Sequence, residues 1–263
     1  DLFADLGLSF DHLLKLGGGI HQHRYTCGQS VIKLNSHRSP LAPAVSGYTR
    51  LRLATNVDTS TSIVTPDGVD ITAVPPGHDG IVGVEVTWRT ARPTEAARFL
   101  AALGAHPDGD RHRLGESWIV VDAVKEQPDT GAFDARGFRY LTVQVRDVER
   151  AHSHMCSLGF AEGRPPIRLG DTAYISFIRD ADGNWIELSQ RASLTGPPVA
   201  RPGDPNSCDN IPSRPPSPPT PFPVANAFRL AAAISPSVIY SSALCALSML
   251  PGPMTTVGIS AID

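Results

Sequence analysis

In "DADGNWIELSQR", residues 180–191, a lone carboxylate, Glu187, stands between Ile186 and Leu188 on a segment with the alternation of a half-buried strand. An acid held among apolar neighbours is placed to bind a cation or to move a proton. An earlier stretch, "TPDGVDITAVPP" at 65–76, has the same Asp-Gly turn and the same strand, with Thr72 where the acid would stand. Two histidines in "HQH", His21 and His23, share a strand face at i and i+2. Lys33, Asn35 and His37 alternate onto one face of the next strand. Together they suggest a polar cavity for an anionic or metal-bound ligand in the N-terminal half, or simply surface or interface histidines.

These residues sit in a repeat. "DLGL" at 5–8, "ALGA" at 102–105 and "SLGF" at 157–160 each end a helical pattern with a glycine suited to a left-handed closing residue. Ala96, Phe99, Leu100 and Leu103 form an apolar stripe after Pro93. Val148, Ala151, His152 and Met155 form another, with Asp147 as N-cap. His152 and His154 belong to that helix and point away from any strand-lined cavity. A strand precedes each helix, at 82–90 and 139–147, and strands follow at 111–124, 164–178 and 184–190. The first copy starts inside its helix and continues through 21–37 without an opening strand, which would leave a sheet edge unpaired. Its mate at 47–77 has strands and no helix.

Composition bounds the rest. The chain has 263 residues, a formal charge of −3 and 41% hydrophobic residues, enough for a packed core and without the clustered positive field that a polynucleotide needs. Cys27, Cys156, Cys208 and Cys245 are far apart and form no C-x-x-C, which fits a reducing cytosol; with no basic or apolar leader visible, the expected location is cytoplasmic. From Pro197 to Pro223 there are eleven prolines, so 193–263 reads as a Pro-rich disordered tail. Within that tail Leu230 to Leu250 is uncharged, but Pro236 and five serines argue against a membrane span.

The unit of strand, helix and two or three strands, with "GFRYLTVQVRDVERAHSHMCSLGF" followed by "GDTAYISFIRDADGNWIEL", resembles the vicinal oxygen chelate superfamily of glyoxalase I, fosfomycin- and bleomycin-resistance proteins and extradiol dioxygenases. The resemblance implies an α+β fold of paired βαβββ modules forming cupped mixed sheets with helices outside. It makes 78–192 one complete pair and 1–77 a truncated one. It also implies a small-molecule ligand, a homodimer as one form of assembly, and ligands on the first strand of each module and on the last-strand glutamate. Counting back seven from the helix caps places those ligands at Glu85 and Tyr140, with Glu187 as the third.

Strand alternation sends Glu85, Tyr140 with Gln144, and Glu187 with Trp185 onto the polar rows, so all could face one cavity. Two carboxylates and a phenol would favour Mn, Fe(II) or Mg, with Glu187 and Tyr140 catalytic in a lyase, isomerase or dioxygenase reaction. The metal-free alternative is a drug- or metabolite-binding cup walled by Trp185, Tyr174 and Trp118. The plainest alternative for Glu187 is an ion pair with Arg139 or Arg191. The residues leave one divalent ion and none equally open.

Overall fold

A computed structural model describes residues 2–17, 19–126, 130–169, 173–195, 229–235 and 255–258. The chain runs through four modules. The first comprises α1 (Leu2–Asp5), β1 (Ser9–Gly17), β2 (Ile20–Cys27) and β3 (Ser30–His37). The second has β4 (Tyr48–Ala54), β5 (Thr61–Val64) and β6 (Asp70–Val74), with no α-helix between them. The third has β7 (Val84–Thr90), α2 (Pro93–Ala102), β8 (His106–Asp108), β9 (Arg111–Leu114) and β10 (Ser117–Ala123). The fourth has β11 (Gly137–Gln144), α3 (Val148–Ser157), β12 (Ala161–Leu169), β13 (Ala173–Arg179) and β14 (Trp185–Arg191), which runs into α4 (Ala192–Thr195).

The helix ends show why the repeat was visible. Pro93 opens α2, where its missing N–H costs nothing, and the Asp147 carboxylate accepts from the Arg150 N–H at 3.0 Å to cap α3. The helices α1, α2 and α3 close alike. Gly7, Gly104 and Gly159 have φ of 82°, 86° and 85°, and the N–H of Leu8, Ala105 and Phe160 reaches back to the carbonyl of Phe3, Leu100 and Met155.

The modules do not pair with their neighbours in the way expected from the sequence. Sheet order is β5-β6-β4-β7-β10-β9-β8 in one sheet, which joins modules two and three. In the other, β1-β2-β3 of module one share a sheet with β11-β14-β13-β12 of module four. Residues 78–192 therefore do not close on themselves as one pair. The apolar faces of both sheets meet with α2 and α3 in one core, where Tyr48 packs on Trp88 and Phe138, and Phe99 on Trp88 and Phe160. Each such large side chain contributes roughly 1.5–3 kcal/mol by leaving water. The polar rows are left on the opposite, concave faces.

The slot expected to stand open beside β3 is occupied. In the other modules the first strand runs parallel to the last, as β11 does to β14, β7 to β10 and β4 to β6. Two segments, β15 (Arg229–Ser235) and β16 (Thr255–Gly258), each lie parallel to β3 and antiparallel to β11. Both register against Lys33, Tyr140, Leu141 and Thr142. These two strands depart from the expectation of disorder for 193–263; beyond them and 193–195 that stretch, with Cys208 and Cys245, lies outside the described residues. Among the described residues no helix is long and apolar enough to cross a membrane.

Candidate functional site

The concave face of the sheet that joins modules one and four, the first cup, gathers side chains from five strands. On β11 the row is Tyr140, Thr142 and Gln144. On β14 it is Trp185, Glu187, Ser189 and Arg191. β3 contributes Lys33 and Asn35, and β2 contributes Gln22 and Arg24, which stand opposite Asn35 and Lys33 in register. His12 of β1 faces Arg24, beside a bulge that turns Asp11 toward His12 Nδ1 at 2.9 Å.

At the centre, Lys33 Nζ donates to Glu187 Oε2 at 3.0 Å and to Thr142 Oγ1 at 2.9 Å, and the Thr142 hydroxyl donates to the same Glu187 oxygen at 2.8 Å. Both charged side chains are buried, at 4% and 9% exposure, so neither has water as an alternative partner. Burial pushes the Lys33 amine down to about 7, with Glu187 opposing the fall. Arg24 is held well below its ordinary value by burial and then by the Arg191 charge, and Arg191 is lowered by burial as well. Gln22 bridges Asn35 at 2.9 Å and accepts from Arg24 at 3.1 Å. Among the described residues, Arg24 Nε, Arg191 Nε and both amide atoms of Gln144 are buried without a partner.

The aromatic end of the cup is formed by Tyr140, Phe177 and Trp185 around Phe133, which stacks on Tyr140 at 5.5 Å and meets Trp185 at 4.9 Å. The Lys33 ammonium lies 5.6 Å from the Tyr140 ring centre.

Of the side chains proposed from sequence, Glu187, Tyr140, Trp185 and Gln144 come together here. Glu85 and Trp118 do not. They are register partners on β7 and β10 of the other sheet, because the modules pair first with fourth and second with third. There Glu85 accepts from Arg52 at 2.9 Å and Arg111 at 3.2 Å, and the Arg111 guanidinium covers Trp118 at 4.3 Å. Thr72, on β6 of that same sheet, shares a 2.9 Å hydroxyl contact with Ser62. The second cup is thus closed by its own ion pairs.

Tyr174 is also misplaced by the sequence reading. It registers with Gln190, whose amide oxygen accepts from the Val148 N–H at the start of α3, and its own hydroxyl donates to Glu149. Tyr174 therefore lies on the helix side, and Phe177, opposite Glu187, takes the cup-side position. Of the two candidate ion-pair partners for Glu187, Arg139 donates instead to the Ala44 and Val45 carbonyls at 2.8 and 2.7 Å, while Arg191 is a charge neighbour.

"HQH" is instructive in its parity. Tyr25 of the same strand is in the core, so His21 and His23 turn away from the cup and the intervening Gln22 and Arg24 turn into it. The signal for Lys33 and Asn35 was present in their alternation along β3. The signal for Arg24 was its antiparallel register with Lys33, which no local pattern shows.

The donor set does not fit the divalent ion that the family resemblance implies. The second carboxylate, Glu85, is in the other sheet; Asp11 already contacts His12; and Glu187 faces an ammonium with two guanidiniums close by. A hard cation requires several anionic or carbonyl oxygens free of such cations. On the convex side, His152, Cys156 and Glu162 bring one ligand atom each within 4.8 Å of one another. The His152–Glu162 contact of 2.8 Å accounts for that cluster, and burial with the Glu162 charge pushes the Cys156 thiol up.

A family model for the Glyoxalase/Bleomycin resistance protein/Dioxygenase superfamily matches residues 14–188. Among solved structures, a "putative dioxygenase" from Bacillus subtilis subsp. subtilis str. 168 is similar at 15% identity and TM-score 0.50, over 71% of this chain and 78% of that one. Lactoylglutathione lyase from Agrobacterium tumefaciens is similar at 17% identity and TM-score 0.31, over 40% and 90%. A glyoxalase/bleomycin resistance protein/dioxygenase from Alicyclobacillus acidocaldarius is similar at 14% identity and TM-score 0.33, over 41% and 89%. No curated protein matches the chain. With the βαβββ modules, the cupped sheets and a family match over more than half its length, the chain belongs to the Glyoxalase/Bleomycin resistance protein/Dioxygenase superfamily.

Proposed function

We propose that the protein binds a small organic molecule in the first cup without a divalent metal. The observation that carries this is the Lys33–Glu187 contact at 3.0 Å, in which an ammonium takes the place beside the last-strand glutamate that a metal ion would need. The residues gathered here suit retention of a polar ligand against aromatic walls. The test is elemental analysis of the purified chain with added Mn(II), Fe(II) or Mg(II), beside thermal-shift screening against small organic acids, amides and amines. The expected outcome is no stoichiometric metal and a raised melting temperature with one ligand class. A stoichiometric ion that is lost in Glu187→Gln would overturn the reading.

One observation favours a second reading, proton transfer by Lys33. An amine brought down to about 7 can give and take a proton at neutral pH, and it sits against Thr142 and Tyr140 at the head of the cup. Deuterium exchange at the carbon next to a small ketone, followed by NMR, would be accelerated by the wild type and not by Lys33→Met. Equal rates with both proteins would end this reading.

A further inference from the structure

The charges in the first cup do not balance. Arg24, Lys33 and Arg191 are cationic; Glu187 and Asp11 are anionic. Glu187 is bound to Lys33 at 3.0 Å and Asp11 contacts His12 at 2.9 Å; both carboxylates act on the two guanidiniums through their charge, and neither is hydrogen-bonded to them among the described contacts. Arg24 is 1% exposed, and the only acceptor described for it is the neutral Gln22 oxygen. A buried guanidinium with no carboxylate hydrogen-bonded to it is costly, and a buried amide with neither end bonded adds to that cost. Gln144 is such an amide, at 3% exposure, on the same row as Tyr140 and Thr142. Buried donors left unpaired within one charged cluster are what a bound acceptor would satisfy.

We infer that the molecule taken up by the first cup is a small organic carboxylate, its oxygens received by Arg24 and Arg191 and an adjoining polar atom received by the Gln144 amide. This rests on the reading of the cup as a small-molecule site and adds the ligand's charge and class. The planar guanidinium donors match a carboxylate's two oxygens. Tyr140 and Trp185 on the adjoining positions suit an aromatic body. Burial that lowers Arg24 and Arg191 is relieved when an anion enters.

The experiment titrates the full chain with benzoate, benzamide and benzylamine, which share a ring and differ in charge, by calorimetry and thermal shift. Benzoate is expected to bind about tenfold or more tighter than benzamide, and benzylamine not to bind. Arg24→Gln is expected to weaken benzoate by about tenfold. Gln144→Leu, which removes an unpaired amide and so does not endanger folding, is expected to raise the ligand-free melting temperature and still weaken benzoate. If benzamide or benzylamine binds as well as benzoate, the small-molecule reading stands and the carboxylate inference is overturned. If none of the three binds, both are overturned. Benzoate binding unchanged in both variants would place the anion elsewhere and overturn the inference alone.

Discussion

Lys33 Nζ and Glu187 Oε2 lie 3.0 Å apart inside the first cup although their residues are 154 positions apart in the chain. Removing one member strands the other's charge away from water, whereas removing both leaves a space that apolar side chains fill. Lys33→Met and Glu187→Leu are each expected to cost about 3–5 kcal/mol, and the double variant to recover most of that loss. Urea melts of the four proteins measure the coupling. Additive losses would show that the pair is not an energetic unit.

The same amine sets a pH dependence. Its folded value is about 7 and its ordinary value 10.5, so between those limits the unfolded chain holds a proton that the folded chain has released. Stability therefore rises with pH from about 7 toward 10.5 and is flat, for this group, below that window. Melting temperatures across that range should climb more steeply in the wild type than in Lys33→Met. Parallel profiles would refute the assignment.

Glu85 is a contrast. Its oxygens are taken by Arg52 and Arg111 in the second cup, on the sheet that does not carry the Lys33 cluster. Glu85→Gln is expected to lose roughly 1–3 kcal/mol of stability and to leave ligand affinity at the first cup unaltered. A fall in that affinity, read by calorimetry, would mean that the two cups are coupled.

Gly159 tests the helix-closing motif. Its φ is 85°, and a Cβ there would meet nothing within 4 Å, so the cost of Gly159→Ala is backbone strain alone, about 1–2 kcal/mol. A neutral substitution by chemical denaturation would show that this closing turn relaxes without penalty.

The sequence made the modules legible because their punctuation is local: a proline or aspartate opens each complete helix and a glycine closes it. Tyr140 came from the family resemblance, by counting back from the helix cap, and strand parity, which is also local, put it on one polar row with Gln144 and put Glu187 on another with Trp185. The error at Glu85 and Trp118 has a different origin, since no local pattern says which module pairs with which. Tyr174 was misassigned because facing depends on register, and a shift of one residue reverses it. Arg24 went unnoticed between two histidines that drew attention to the wrong face. The three-residue β8 and the bulged β1 carry weak alternation and were not anticipated.

The union of the first and fourth modules has a kinetic corollary. A nascent chain leaving the ribosome presents β1-β2-β3 long before β11 and β14 exist, so the buried Lys33–Glu187 cluster is assembled last, by closing a long loop. Such high contact order predicts slow maturation and a vulnerable interval, during which the early hairpins depend on chaperones to stay unaggregated.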